Sequence, residues 1–167
     1  MNFIQIKEYL KTKLQELCEF HKKGLFPSPN FIIDIYTIIY DSCYKYQFSE
    51  INTLHTFFIK SAIKDSLNTL NKMEEKDVIN HFCNDLDKLN YIIYYCNQTF
   101  SHIEKQFHNQ LKGITLNKKA FNLLKNEFYI PFKEKLFQYL NILKDNDLDI
   151  KEENDDNIKK LLNYYYI

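Results

Sequence analysis

The sequence predicts an all-α fold, an elongated stack of helices with no sheet, and three observations carry that expectation. Glycine and proline are scarce, Gly 2 and Pro 3 in 167 residues. That leaves little material for hairpins and favours long helices joined by short connections. Apolar residues recur every three or four positions through most of the chain, the spacing of one helix face. One such run, Val78 to Leu111, would span on the order of 50 Å as a single helix, which suits an elongated stack better than a compact bundle.

The first helix is expected from about Phe3 to His21, with Ile6, Tyr9/Leu10, Leu14, Leu17 and Phe20 recurring every three or four residues. It stops at His21-Lys22-Lys23-Gly24, cations followed by a glycine. Ser28-Pro29 supplies an N-cap and a proline at the first helical position, opening a second helix from about Asn30 to Tyr46. This helix is apolar on nearly every side, so it is either central or half core and half interface. Ser49 and Glu50 open a third, carrying Ile51, Leu54, Phe58, Ala62, Leu67 and Leu70 inward. The charged stretch Lys72–Asp77 precedes the Val78–Leu111 run, read as one very long helix or two nearly collinear ones, stopping at Lys112-Gly113. Asn117 is the expected cap of the next helix, with Ala120, Phe121, Leu124 and Phe128. Pro131 is expected to interrupt it, and a further segment carries Leu136, Leu140 and Leu143. Residues 144–156 form an acid-rich connector, and Ile158–Ile167 begins another helix.

Composition narrows the function classes. Hydrophobic residues make up 45% and aromatics 16%, enough for a real core and against disorder. Lys+Arg 22 balance Asp+Glu 22, which argues against duplex nucleic acid or an anionic membrane as the main partner. The scarcity of glycine rules out Gly-rich phosphate loops, and the apolar stretches are too short to span a bilayer. Cys18, Cys43, Cys83 and Cys96 form no CxxC pair and read as reduced, buried thiols of the cytosol or nucleus. His81 with Cys83, and His102 with His108, lack the spacing of structural zinc. The histidines are expected at the surface or half-buried. No catalytic, metal-ligating or cofactor-binding residues are expected, and the chain reads as non-enzymatic.

Four stretches, in order, resemble the first repeat of the cullin N-terminal domain. They are Ile33-Asp34-Ile35-Tyr36-Thr37-Ile38-Ile39-Tyr40-Asp41-Ser42-Cys43, like the family's Tyr-Thr-x-x-Tyr-x-x-Cys; Leu54–Leu70, like its third helix; Tyr95-Cys96-Asn97-Gln98-Thr99-Phe100, like Tyr-x-(Asp/Asn)-Arg-x-(Tyr/Trp); and Phe128-Tyr129-Ile130-Pro131 followed by Leu136, Leu140 and Leu143. The chain departs from the pattern at Gln98, where the family usually has arginine, and at Asp147-Leu148, where it usually has Glu-Arg. The family's tryptophan before the Tyr95 motif is missing, and the segment from Val78 to Tyr95 looks about two turns shorter.

The resemblance implies a five-helix cullin-type repeat over residues 1–147, with a connector and the start of a second repeat over 148–167 of what would be a longer chain. It implies a scaffold subunit of a ubiquitin ligase in cytoplasm and nucleus. The N-terminal repeat would bind a Skp1-like or BTB-type adaptor, while a RING protein would attach only through a C-terminal domain that this chain does not contain. In the family the adaptor docks on the second helix and on the helix following the third. Carried over, this gives Ile32, Tyr36 and Tyr40 with Ile39 adjacent, and Met73 and Val78 from the later helix. Ile39 fits a core position equally well. The alternative is another helical-repeat interaction protein, such as a subunit of a vesicle-tethering complex.

Overall fold

A computed structural model describes residues 1–145. Every regular element in that range is helical, and no strand occurs among the described residues. The expected acid-rich tail of the connector and the C-terminal helix lie outside the described residues, as do the side chains of Leu140 and Leu143.

Helix α1 runs Phe3–Lys22 and buries Ile6, Leu10, Leu14 and Leu17. Its start is closed by Asn2, whose side-chain oxygen accepts from the Gln5 amide at 2.9 Å while Gln5 Oε1 accepts from the Asn2 amide at 2.8 Å, a reciprocal cap satisfying two otherwise orphan donors. At its end Gly24 adopts φ +64, which lets the Leu25 amide reach back to the Phe20 carbonyl at 2.8 Å. A side chain at Gly24 would oppose that left-handed turn. Helix α2, Pro29–Lys45, starts where Ser28 Oγ accepts from the Phe31 amide at 3.2 Å. It buries Phe31, Ile35, Ile39, Ser42 and Cys43.

Helix α3, Phe48–Leu70, begins one or two residues before the expected Ser49-Glu50, because Glu50 Oε2 accepts from the Gln47 amide at 3.1 Å. Helix α4 spans Glu75–Thr99. These two pack on each other, and both also receive α1, α2 and α7, so the α3–α4 pair is the centre of the core.

The long run from Val78 is broken twice, contrary to expectation, giving α5 at His102–Gln106 and α6 at His108–Leu111. Thr99 Oγ bonds the carbonyls of Tyr95 and Cys96, both at 3.0 Å. The next turns close with the short Ile103→Phe100 and Glu104→Ser101 amide–carbonyl bonds. Such side-chain competition for backbone carbonyls bends or ends helices. The apolar spacing nevertheless persists, since Phe100, Ile103 and Phe107 are all buried.

Helix α7 runs Leu116–Leu124, and Thr115 is its cap, with Oγ accepting from the Lys118 amide at 3.1 Å. This corrects the expected Asn117, whose side chain instead bonds Asn97. Nor does Pro131 interrupt the helical path. A π-helical turn, Lys125–Tyr129, joins α7 directly to α8, Ile130–Asp145. A proline cannot donate the bond expected four residues back and crowds the preceding turn; here a widened turn with an Ile130→Lys125 bond lies just upstream of it. Within this stretch Phe128 is fully buried and stacks on Phe82, centroids 4.9 Å apart and rings 8° from parallel.

Candidate functional site

Helix α2 is two-sided. Its inner side, Phe31, Ile35, Ile39 and Cys43, belongs to the core, while Ile33 and Tyr44 stand 56% and 61% exposed. The helical wheel accounts for this. Ile33, Thr37, Tyr40 and Tyr44 lie roughly opposite the buried set, because two residues advance about 200° around a helix. All four are exposed.

The rings on this outer side meet one another. Tyr36 and Tyr40 are 6.2 Å apart between centroids, and Tyr40 and Tyr44 5.1 Å. His102, the first residue of α5, sits against all three, at 6.3, 4.4 and 5.8 Å from Tyr36, Tyr40 and Tyr44. His102 Nε2 is buried in this cluster with no hydrogen-bond partner. Hydrogen bonding with Tyr40 is the first cause holding the Tyr44 hydroxyl above the ordinary phenol range. The result is an aromatic ridge, partly exposed, whose hydroxyls can pair while the rings bury area.

The residues expected to dock a partner separate into three groups. Tyr36 and Tyr40 lie in the ridge, half-buried and exposed respectively, and Ile32 is half-buried beside them, packed against the core. Ile39 and Val78, both 0% exposed, are core residues and offer nothing to a partner docked on this fold; this corrects their assignment. Met73 is half-buried in the turn between α3 and α4. Neither Met73 nor Val78 faces the ridge. The Tyr91 hydroxyl donates to the Leu25 carbonyl, at 2.9 Å, just before α2, and the far end of α2 meets His102. So α2 lies along the C-terminal half of α4 and onto α5, whereas Val78 precedes Tyr91 by thirteen residues, about 20 Å of helix. Sequence reasoning missed Ile33, Tyr44 and His102. The signal for Ile33 and Tyr44 was available as the positions opposite the buried stripe. That for His102 was not, since it comes from a separate helix.

A second polar cluster ties α7 to the central pair. Lys119 Nζ donates to the Asn52 carbonyl at 3.3 Å and to its Oδ1 at 2.5 Å, and Asn97 Nδ2 donates to Asn117 Oδ1 at 2.8 Å. Between them His55 is completely buried, edge-on to Phe100 at 5.5 Å, with both ring nitrogens lacking a partner. His55 thus departs from the expectation for the histidines, whereas His21 and His102 are half-buried and His81 and His108 exposed, as expected. Burial first, and then the Lys119 charge, push the imidazole down to about 3; Asn97 pulls the other way without completing a bond of ordinary geometry. Burial likewise lowers the Lys119 amine to about 8 and raises the fully buried Cys96 thiol far above its usual value. All four cysteines are free. Among the described residues, no group of three His, Cys, Asp or Glu is arranged to hold a metal ion, and no helix is long and apolar enough to cross a membrane.

No family model, curated protein or solved structure matches this chain.

Proposed function

We propose that this chain is a non-catalytic scaffold subunit of a cullin-RING-type ubiquitin ligase, and that its α2 ridge docks an adaptor of the Skp1-like or BTB type. The observation that carries the reading is a helix committed to the core on one side while presenting Tyr36, Tyr40 and Tyr44 on the other. Apolar and aromatic side chains grouped on one exposed face mark interaction surfaces, and tyrosine is prominent among residues that dominate binding energy. The order of the four sequence motifs supplies the family. The α2 motif and the ridge coincide in sequence, since Tyr36 and Tyr40 are the two tyrosines of the Tyr-Thr-x-x-Tyr pattern. In this reading the RING protein binds elsewhere in a longer chain, and ligase activity belongs to the assembly.

The test is a pull-down from the source cell's lysate with this chain as bait, read by mass spectrometry, against a Tyr36→Ala/Tyr40→Ala variant. Enrichment of a Skp1-like or BTB-domain protein, lost in the variant with its circular dichroism unchanged, is the expected result. Recovery of tethering-complex subunits instead, or of no reproducible partner, sinks the ligase assignment. Unfolding of the variant would move those two tyrosines into the core.

A further inference from the structure

The zero net charge of the chain hides a segregation. From Lys112 to Lys135 six lysines stand against two glutamates, whereas residues 147–156 hold six acids against the single Lys151. The fold gathers part of the first group on one face. Through α7, the π-helical turn and α8, the inner line Leu116, Ala120, Leu124, Phe128, Phe132 and Leu136 advances by fours and is buried throughout. Two residues advance about 200° around a helix, so the outer line holds Lys118, Asn122 and Ile130, flanked by Phe121, Lys125 and Lys133. All of these are exposed. Glu127 is turned toward α3, where its carboxylate pairs with Lys60 Nζ at 2.7 Å. Lysines therefore line a face left to solvent.

We propose that the acid-rich segment 152–156 of this same chain lies back along that face, with its carboxylates over Lys133 and Lys125. The length of the tether supports the pairing as well as the charge. Helix α8 ends at Asp145. Lys133 lies twelve residues before that end, about 18 Å of helix, and Lys125 eight more, about 30 Å in all. An extended chain advances at most about 3.3–3.6 Å per residue. A segment returning from Asp145 therefore needs about five or six residues to reach Lys133 and about nine to reach Lys125. Glu152 and Glu153 stand seven and eight residues past Asp145, and Asp155 and Asp156 ten and eleven. Each acidic pair thus falls just beyond the minimum reach of one lysine, with a residue or two left for the reversal. Lys118, about 40 Å back, is at the limit of the tether.

Exposed ion pairs are individually weak. A short tether offsets this by holding one partner at an effective concentration in the millimolar range, so several pairs together keep the segment in place at low salt. Screening releases it, because the Debye length falls from about 30 Å at 0.01 M to about 3 Å at 1 M. The contact is a salt-sensitive cover, and an anionic partner reaches the same lysines only by displacing it. The inference stands whether or not the ligase reading does, because the α2 ridge takes no part in it.

Zero-length carbodiimide coupling of the whole chain at about 20 mM salt, read by mass spectrometry after digestion, tests this. The expected result is amide crosslinks within one chain, from the carboxylates of residues 152–156 to Lys133 and Lys125. Their yield should fall at least about threefold at about 0.5 M salt. Lys125→Glu with Lys133→Glu should abolish them while the helical circular dichroism persists, since both side chains are exposed. Adding Glu152→Lys, Glu153→Lys, Asp155→Lys and Asp156→Lys to that variant should restore crosslinks of reversed polarity. Crosslinks from the segment that reach the lysines of α1 and α3 as readily as Lys125 and Lys133 overturn the inference. So does a segment that yields no crosslink at low salt, or one that couples only to a second chain.

Discussion

Lowering the pH from 7 to 4.5 is expected to remove roughly 2–3 kcal/mol of folding stability through His55 alone. The imidazole is 0% exposed in α3, and burial together with the Lys119 charge holds its folded-state pKa at about 3. In the unfolded chain it returns to an ordinary value near 6.5. A base whose folded pKa is depressed binds its proton more readily when unfolded. Its favourable contribution is complete above pH 6.5 and is lost as the pH falls toward 3. Each unit in that window is worth about 1.4 kcal/mol, so two units below the unfolded value give the figure above. Against a total stability of about 5–15 kcal/mol for a domain of this kind, that is a loss large enough to measure. The assay is urea unfolding followed by circular dichroism at pH 7, 5.5 and 4.5, comparing the natural chain with His55→Phe. Carboxylates titrate in both proteins, so the difference between the two pH dependences isolates the histidine. Phenylalanine keeps the contact with Phe100 and removes the proton site. Identical pH slopes, or a His55 imidazole signal titrating near 6.5 by NMR, would refute the reasoning.

The remaining expectations concern packing, capping and the amine. Ile39→Ala should cost about 2–5 kcal/mol, while Tyr44→Ala, on the same helix but 61% exposed, should stay within about 1 kcal/mol; thermal and urea unfolding of the pair would expose any misplacement of α2. Phe128→Ala should cost about 3–5 kcal/mol, because it empties the space between Phe82 and Phe132, and loss of less than about 1 kcal/mol would contradict that packing. Ser28→Ala should cost about 1 kcal/mol by leaving the Phe31 amide without its cap. The Lys119 amine should titrate near 8 by NMR; a value at the ordinary 10.5 would mean that α7 does not bury it against Asn52.

Where local chemistry decides an element's end, the sequence was legible. The α1 stop at Lys23-Gly24 and the α2 start at Ser28-Pro29 follow from a left-handed glycine and a hydroxyl cap, both of which act within a few residues. The breaks after Thr99 and around Phe107 were hidden for the opposite reason. Phe100, Ile103 and Phe107 all reach the core, so the apolar period continues while the backbone path changes. At Pro131 the rule against proline inside a helix holds for a regular α-helix, yet a π-helical turn upstream carries the helical path through it. His55 was within reach of the sequence. It lies four residues after Ile51 and four before Ile59, both buried, and its residue type, not its position, made it look like a surface group.

The candidate site shows how far a spacing argument reaches before packing takes over. Ile32, Tyr36 and Tyr40 share a line on α2 because steps of four return to nearly the same side. Each step overshoots a full turn by about 40°. The line therefore begins at the margin of the core at Ile32, passes a half-buried Tyr36, and reaches solvent only at Tyr40. Extending it another four residues gives Tyr44, 61% exposed, as the outermost ring. The outer end of that line, not its middle, is where a partner would first touch the helix. His102 fixes the same end from α5, with its ring 4.4 Å from Tyr40. Val78 lies 21 residues before the end of α4 at Thr99, about 32 Å of helix, and Met73 precedes α4. A partner that buried both regions would have to cover the length of the α2–α4 contact, whereas one seated on Tyr40, Tyr44 and His102 needs only the junction of α2 with α5.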